Sequence, residues 1–119
     1  MKNLILILFA VFAFTAAQAQ EQKASKNQEA SFEVKGVCGD CKARIEGAAL
    51  HTKGVKTANW NKETKQLDVV YNSKKVELAT IKEAIAAKGH DSEDKKADST
   101  TYEKLPNCCK YKDGAKCGH

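Results

Sequence analysis

Two thiols three residues apart, Cys38 and Cys41 in Cys38-Gly39-Asp40-Cys41, are the residues of this chain best suited to chemistry. A run carrying Phe32, Val34 and Val37 leads into them, and a helical stretch at residues 42–50 leads out. The pair therefore falls where a strand turns into a helix. Unpaired backbone N–H groups and the dipole at a helix N-terminus favour thiolate over thiol. Paired thiolates hold a soft metal ion or exchange electrons as a disulfide, and an idle structural disulfide is the third reading. Cu(I) accepts two or three sulfur ligands, whereas Zn²⁺ prefers four and would need further donors. Asp40 lies between the thiols, where a negative charge suits the first turn of a helix.

Further donors are present. His90 follows Gly89 at the end of a second helical pattern, and neutral imidazole suits copper or zinc. Cys108, Cys109, Cys117 and His119 make a cysteine-bearing tail that offers extra sulfur to the first pair, a second metal site or a disulfide. The chain holds five cysteines, an odd number, so a monomer cannot pair all of them. His51 falls near the end of the first helix, away from the thiols, and reads as an exposed residue at a helix C-terminus. Catalysis has little support: no Ser/His/Asp set, phosphate loop or paired carboxylates stand out, so no enzyme is expected. The alternative is a thiol–disulfide redox protein using the same pair. Against it, valine rather than tryptophan precedes Cys38, and Pro106, the only proline, lies far along the chain.

The N-terminus gives the expected location. Lys2, an apolar run at 4–17 and Ala17-Gln18-Ala19 read as a secretory signal peptide over residues 1–19. The run is shorter than the roughly 20 apolar residues of a membrane span. Export, most simply to the periplasm, follows as an expectation, with no stable membrane insertion after cleavage. The formal charge of +5 is carried by scattered lysines. Such a surface suits an acidic docking face on a partner protein, and gives no argument for nucleic acid.

The elements that must position these residues follow from hydrophobic periodicity. Residues 20–30 are polar without a period and read as a flexible leader. Phe32 and Val34 alternate with polar neighbours as a first strand at 31–37. A helix follows with Ile45, Ala48 and Ala49 on its buried face, ending at Gly54. Strands are expected at 55–60 and 66–71, joined by a polar hairpin loop, with Trp60, Leu67, Val69 and Tyr71 toward the core. A second helix from about 76 to 88 carries Leu78, Ile81 and Ile85, with Gly89 as its C-cap but no good N-cap. The stretch 91–97 is nearly all charged and reads at best as a short edge strand. A short helix capped by Asp98 or Ser99 and stopped by Pro106 precedes the tail. The order is βαββαβ, an α+β ferredoxin-like sandwich with a weak last strand and a cysteine-bearing C-terminal extension. In that topology the thiol loop and His90 share one end.

Val34-Lys35-Gly36-Val37-Cys38-Gly39-Asp40-Cys41, Ile45-Glu46, Gly54-Val55, Leu67-x-Val69-x-Tyr71 and Ile81 through Gly89-His90 together carry a resemblance. The stretch 31–97 resembles the heavy-metal-associated domain of copper chaperones, metal-transporting P-type ATPases and periplasmic mercury-binding proteins. The resemblance implies binding of Cu(I), or of Hg²⁺ or Zn²⁺, at Cys38 and Cys41, and a metal-transporting or metal-accepting partner. Gly36-Val37-Cys38 is one residue shorter than the usual family loop and lacks its methionine. Residues 98–119 lie outside the resemblance.

Overall fold

The computed structural model describes residues 27–114. Strand β1 (Asn27–Glu33) pairs antiparallel with β3 (Gln66–Asn72), which pairs antiparallel with β2 (Val55–Trp60), giving the sheet order β1-β3-β2. Helices α1 (Gly39–Leu50) and α2 (Leu78–Ala86) pack together, and α1 lies against β2. The expected faces are those buried: Ile45, Ala48 and Ala49 from α1, Trp60, Leu67 and Val69 from the sheet, and Ile81 and Ile85 from α2, with Tyr71 half-buried beside them.

Three expectations are corrected. The strand preceding the thiols begins at Asn27, inside the stretch read as a leader, because Asn27 through Ala30 extend the register against Val69 to Asn72. Ladder hydrogen bonds to a neighbouring strand stand in for the missing apolar period. Helix α1 starts at Gly39, three residues early, with Cys38 at its N-cap in extended conformation. The last strand is reduced to two antiparallel bridges, Val34 to Ser92 and Ser92 to Lys95. With so few apolar side chains, this segment gains little by extending along the β1 edge.

Two glycines position the thiol loop. Gly36 passes so close to the core that a Cβ there would stand 3.0 Å from the Cβ of Cys41 and 3.1 Å from the Trp60 ring. The Trp60 indole N–H donates to the Val34 carbonyl at 2.9 Å, pinning the strand that feeds the loop. Gly89 ends the turn after α2 with φ of +101°, a conformation that favours glycine, and sits against Leu105.

The segment after α2 folds back over this end of the sheet. Asp98 caps α3 (Ser99–Glu103) by accepting from the Thr101 amide at 2.8 Å. Pro106 follows the helix, and two single 3₁₀ turns, Asn107–Cys109 and Tyr111–Asp113, carry the chain onward. Tyr111 fastens them: its hydroxyl donates to the Gly89 carbonyl at 2.8 Å and accepts from the Asp91 amide at 3.0 Å. Its ring stacks on His90 and meets Tyr102 edge-on.

Candidate metal centre

Helix α1 presents Cys38 from its N-cap and Cys41 from its first turn, and the folded-back segment brings Cys109 onto both. The Cys38 sulfur lies 3.9 Å from the Cys41 sulfur and 3.9 Å from that of Cys109. Cys109 also lies near enough to Cys41 to perturb its thiol. All three side chains are buried, with exposures of 1%, 0% and 0% for Cys38, Cys41 and Cys109. Cys108 sits half-buried on the rim, its sulfur 3.9 Å from Cys109 and 3.7 Å from a carboxylate oxygen of Asp40. Adjacent in sequence, Cys108 and Cys109 thus divide into a rim residue and a core residue. The donor atoms of Cys38, Asp40, Cys108 and Cys109 all fall within 4.8 Å of one another, close enough to share an ion.

Cys41, Cys108 and Cys109 are reduced, while Cys38 is disulfide-bonded, so none of those three is its partner. Cys38 and Cys41 are therefore not joined to each other, and a metal ion can use the Cys38 sulfur only after reduction. The expectation that the helix N-terminus holds the pair as thiolates fails for Cys41. Burial raises its thiol above the usual range, outweighing the Val37 and Cys38 backbone groups that pull it down, and neighbouring Cys109 pushes it further up. Cys108 is raised as well, by desolvation and by its neighbours Cys109 and Asp40.

Arg44 is the residue the sequence did not single out. Lying three positions after Cys41, it shares that face of α1, and its guanidinium donates to the Cys109 sulfur at 3.3 Å. A fixed cation there offsets the negative charge that a metal ion bound by several thiolates would carry. The i, i+3 spacing from Cys41 was the available signal, but it acquires meaning only once Cys109 is packed opposite.

His90 occupies the expected end without joining the sulfur cluster. Its Nδ1–H donates to the Lys35 carbonyl at 2.8 Å, which leaves Nε2 as the unprotonated nitrogen, buried and without a hydrogen-bond partner among the described residues. Burial lowers its pKa to about 4; the hydrogen bond to the Lys35 carbonyl opposes this in part, the Arg44 charge adds a smaller push downward, and Asp91 a smaller one upward. It is a neutral core histidine packed on Tyr111. His51 lies at the far end of α1, exposed, with Nδ1 2.7 Å from the Gly47 carbonyl. Cys117 and His119, and residues 1–19, expected as a signal peptide, lie outside the described residues.

An α+β sheet-and-helix sandwich with a cysteine pair at its first strand-to-helix turn is the arrangement of a metal-binding class of domain. The heavy-metal-associated domain model matches residues 31–91, and the chain belongs to that family. Over 54 residues the chain is 39% identical to the copper chaperone CopZ of Staphylococcus aureus, spanning 45% of this chain and 79% of that protein. A solved CopZ metallochaperone superposes with a TM-score of 0.54 at 34% identity, covering 56% of this chain and all of its own. A copper-binding domain from HMA7, a P-type ATPase, gives a TM-score of 0.53 at 29% identity, covering 55% of this chain and 89% of its own. Among the described residues, no helix is long and apolar enough to cross a membrane.

Proposed function

We propose that this chain is an exported carrier of Cu(I), sequestering or relaying the ion through Cys38 and Cys41. The observation that carries the reading is the pair of buried sulfurs 3.9 Å apart at the N-terminus of α1. Soft thiolates select Cu(I) over harder ions. Hg²⁺ and Zn²⁺ are the other thiophilic cargoes the donor set suits, zinc only with four ligands. Family membership and the copper chaperones among the similar proteins support copper as the first choice. The partner is a metal-transporting or metal-accepting protein with an acidic docking face, met by the lysine-rich surface. Residues 1–19 direct export to the periplasm and are removed there. N-terminal sequencing of the protein recovered from a periplasmic extract tests that part: a chain beginning at Met1 would overturn cleavage.

The metal reading is tested by anaerobic competition titration of the reduced chain with Cu(I), beside its Cys38→Ser/Cys41→Ser double mutant. Tight binding lost in the mutant is expected, with the fold retained. Equally tight binding by the mutant would sink the reading.

A second reading, thiol–disulfide exchange, draws on one observation. A disulfide-bonded Cys38 has the reduced thiols of Cys41 and Cys109 within reach. The raised thiol pKa of Cys41 works against it, because exchange needs a thiolate attacker. Turnover in an insulin-reduction assay would favour it; its absence leaves the metal reading.

A further inference from the structure

We infer that the metal centre of this chain is a closed three-sulfur site, in which Cys109 is a ligand equal in rank to Cys38 and Cys41. The C-terminal segment is then part of the site. The inference rests on the metal-binding reading above and changes what that reading implies about coordination and release.

Geometry is the first argument. At a metal–sulfur bond of about 2.3 Å, two sulfurs on opposite sides of an ion stand about 4.6 Å apart. Three in a plane around the ion stand about 4.0 Å apart, and tetrahedral sulfurs about 3.8 Å. The Cys38 sulfur stands 3.9 Å from each of Cys41 and Cys109. Those two spacings, held while Cys38 is disulfide-bonded, match a three- or four-sulfur ion and are shorter than a linear two-sulfur ion needs.

Enclosure is the second. Cys109 has no exposure, although it belongs to a segment beyond the family domain, which ends at residue 91 in the match. Besides the contacts of its own sulfur with Arg44 and the neighbouring cysteines, Cys109 is held there by packing and hydrogen bonds of the adjoining residues that do not involve sulfur. Tyr111, two residues on, is bonded to Gly89 and Asp91, stacked on His90 and edge-on to Tyr102. Lys112 donates its amide to the Tyr102 hydroxyl at 2.9 Å. The third sulfur is therefore delivered by a prebuilt strap and needs no ion to recruit it.

Charge is the third. Three thiolates around a monovalent ion leave a net charge of about −2 in a buried place, which is costly unless compensated. Arg44 supplies a permanent cation against the Cys109 sulfur itself, at 3.3 Å, rather than against the pair on α1. A site meant for Cys38 and Cys41 alone would have no use for it there.

The consequence is a holder rather than a fast exchanger. A two-sulfur ion at an open loop is handed on when an incoming thiolate adds to it. Here that third position is already filled and covered, so transfer requires the strap to lift. The thiophilic ion is the same, but the rate of its release is set by the segment around Tyr111.

The test uses the chain carrying Cys117→Ser, so that every remaining sulfur ligand lies in the described region, reduced and loaded with one equivalent of Cu(I). X-ray absorption counts the sulfurs, and competition titration gives the affinity. Three sulfurs are expected. Cys109→Ser should leave two sulfurs and weaken binding by more than the roughly 10- to 100-fold that an outer-shell change costs. Tyr111→Ala, which removes no sulfur and spares the sheet, should also drop the count to two and speed transfer of copper to a chelator. Two sulfurs in the parent chain, with neither variant changing count or affinity, would overturn the inference while leaving the Cys38 and Cys41 reading intact. Undiminished binding by Cys38→Ser/Cys41→Ser in the same background would instead remove the reading beneath it.

Discussion

The guanidinium of Arg44 donates a hydrogen bond to the sulfur of Cys109, joining the first helix of the domain to a segment 65 residues further along. Neither residue belongs to the thiol motif, yet their contact lies against the Cys38 sulfur. Arg44→Gln keeps a hydrogen-bond donor of shorter reach and removes the charge. It should leave the unfolding midpoint in urea nearly unchanged and weaken Cu(I) binding by about 10- to 100-fold, as loss of an outer-shell partner does. Arg44→Lys should recover part of that loss, since the cation returns without the planar fork. Competition titration of the three proteins side by side checks the order. Equal affinities would show that the contact only packs the strap.

Metal loading should release protons. The Cys41 thiol is raised by burial, so it is protonated at neutral pH and must lose its proton to become a ligand. Apparent Cu(I) affinity should rise about tenfold per pH unit for each proton displaced, throughout the range below the thiol pKa. The proton yield can be read from a weakly buffered indicator during anaerobic titration. A pH-independent affinity would mean that the resting site is already thiolate.

Much of this fold is legible from periodicity, and the part that is not has a common cause. Strand β2 and the inward faces of β3, α1 and α2 follow from single-strand or single-helix patterns, each carried by three or four apolar residues. The early start of β1 is invisible locally because Asn27, Gln28 and Glu29 gain order only from their partners Asn72, Tyr71 and Val70. The placement of Cys109 is hidden for the same reason. It depends on Tyr111 meeting Gly89, Asp91 and His90, which are near only after the second helix turns back. At Cys41 burial opposes the pull of the helix N-terminus, a tertiary effect that no local pattern reveals.

Acid should destabilise the fold through His90. The folded chain holds this imidazole neutral down to about pH 4, whereas the unfolded chain protonates it near the ordinary imidazole value of 6.5. The unfolded state therefore binds more protons between those values, and stability falls as pH drops through them. The contribution is complete above pH 6.5 and amounts to about 3 kcal/mol lost by pH 4. Arg44 and Asp91 are the charges acting on the ring, with opposite signs. Urea unfolding of the chain and of His90→Phe at pH 7 and pH 4.5 isolates the effect, because the carboxylates titrate in both proteins. The variant should show the shallower loss of stability; parallel losses would assign the acid sensitivity to other groups.

Gly36 should tolerate no side chain. Its added methyl would meet the Cβ of Cys41 at 3.0 Å and the Trp60 ring at 3.1 Å, and neither neighbour is the end of a flexible chain. Gly36→Ala is expected to cost about 1–3 kcal/mol as overpacking. The relief available is to push the thiol loop outward, so copper affinity should fall together with stability. Gly47→Ala is the control: nothing lies within 4 Å of its added Cβ, and alanine is the better helix former. A urea midpoint for Gly36→Ala equal to the parent's would show that the loop has slack which the close contacts at Gly36 deny.

Tyr111→Phe separates the strap from the domain. The ring and its stack on His90 remain, while two hydrogen bonds vanish, to the Gly89 carbonyl and from the Asp91 amide. Asp91 is buried, so its amide loses its acceptor without gaining water, at a cost of about 1–3 kcal/mol. That cost falls on the contact between the strap and the turn after α2, not on the sheet. Hydrogen exchange should therefore quicken at the amides of Cys109 and Lys112, which depend on the strap being seated. The amides of β3, paired on both sides, should keep their protection. Uniformly faster exchange across β3 and the strap would mean that the tail and the domain unfold as one unit, and that lifting the strap alone is not an accessible motion.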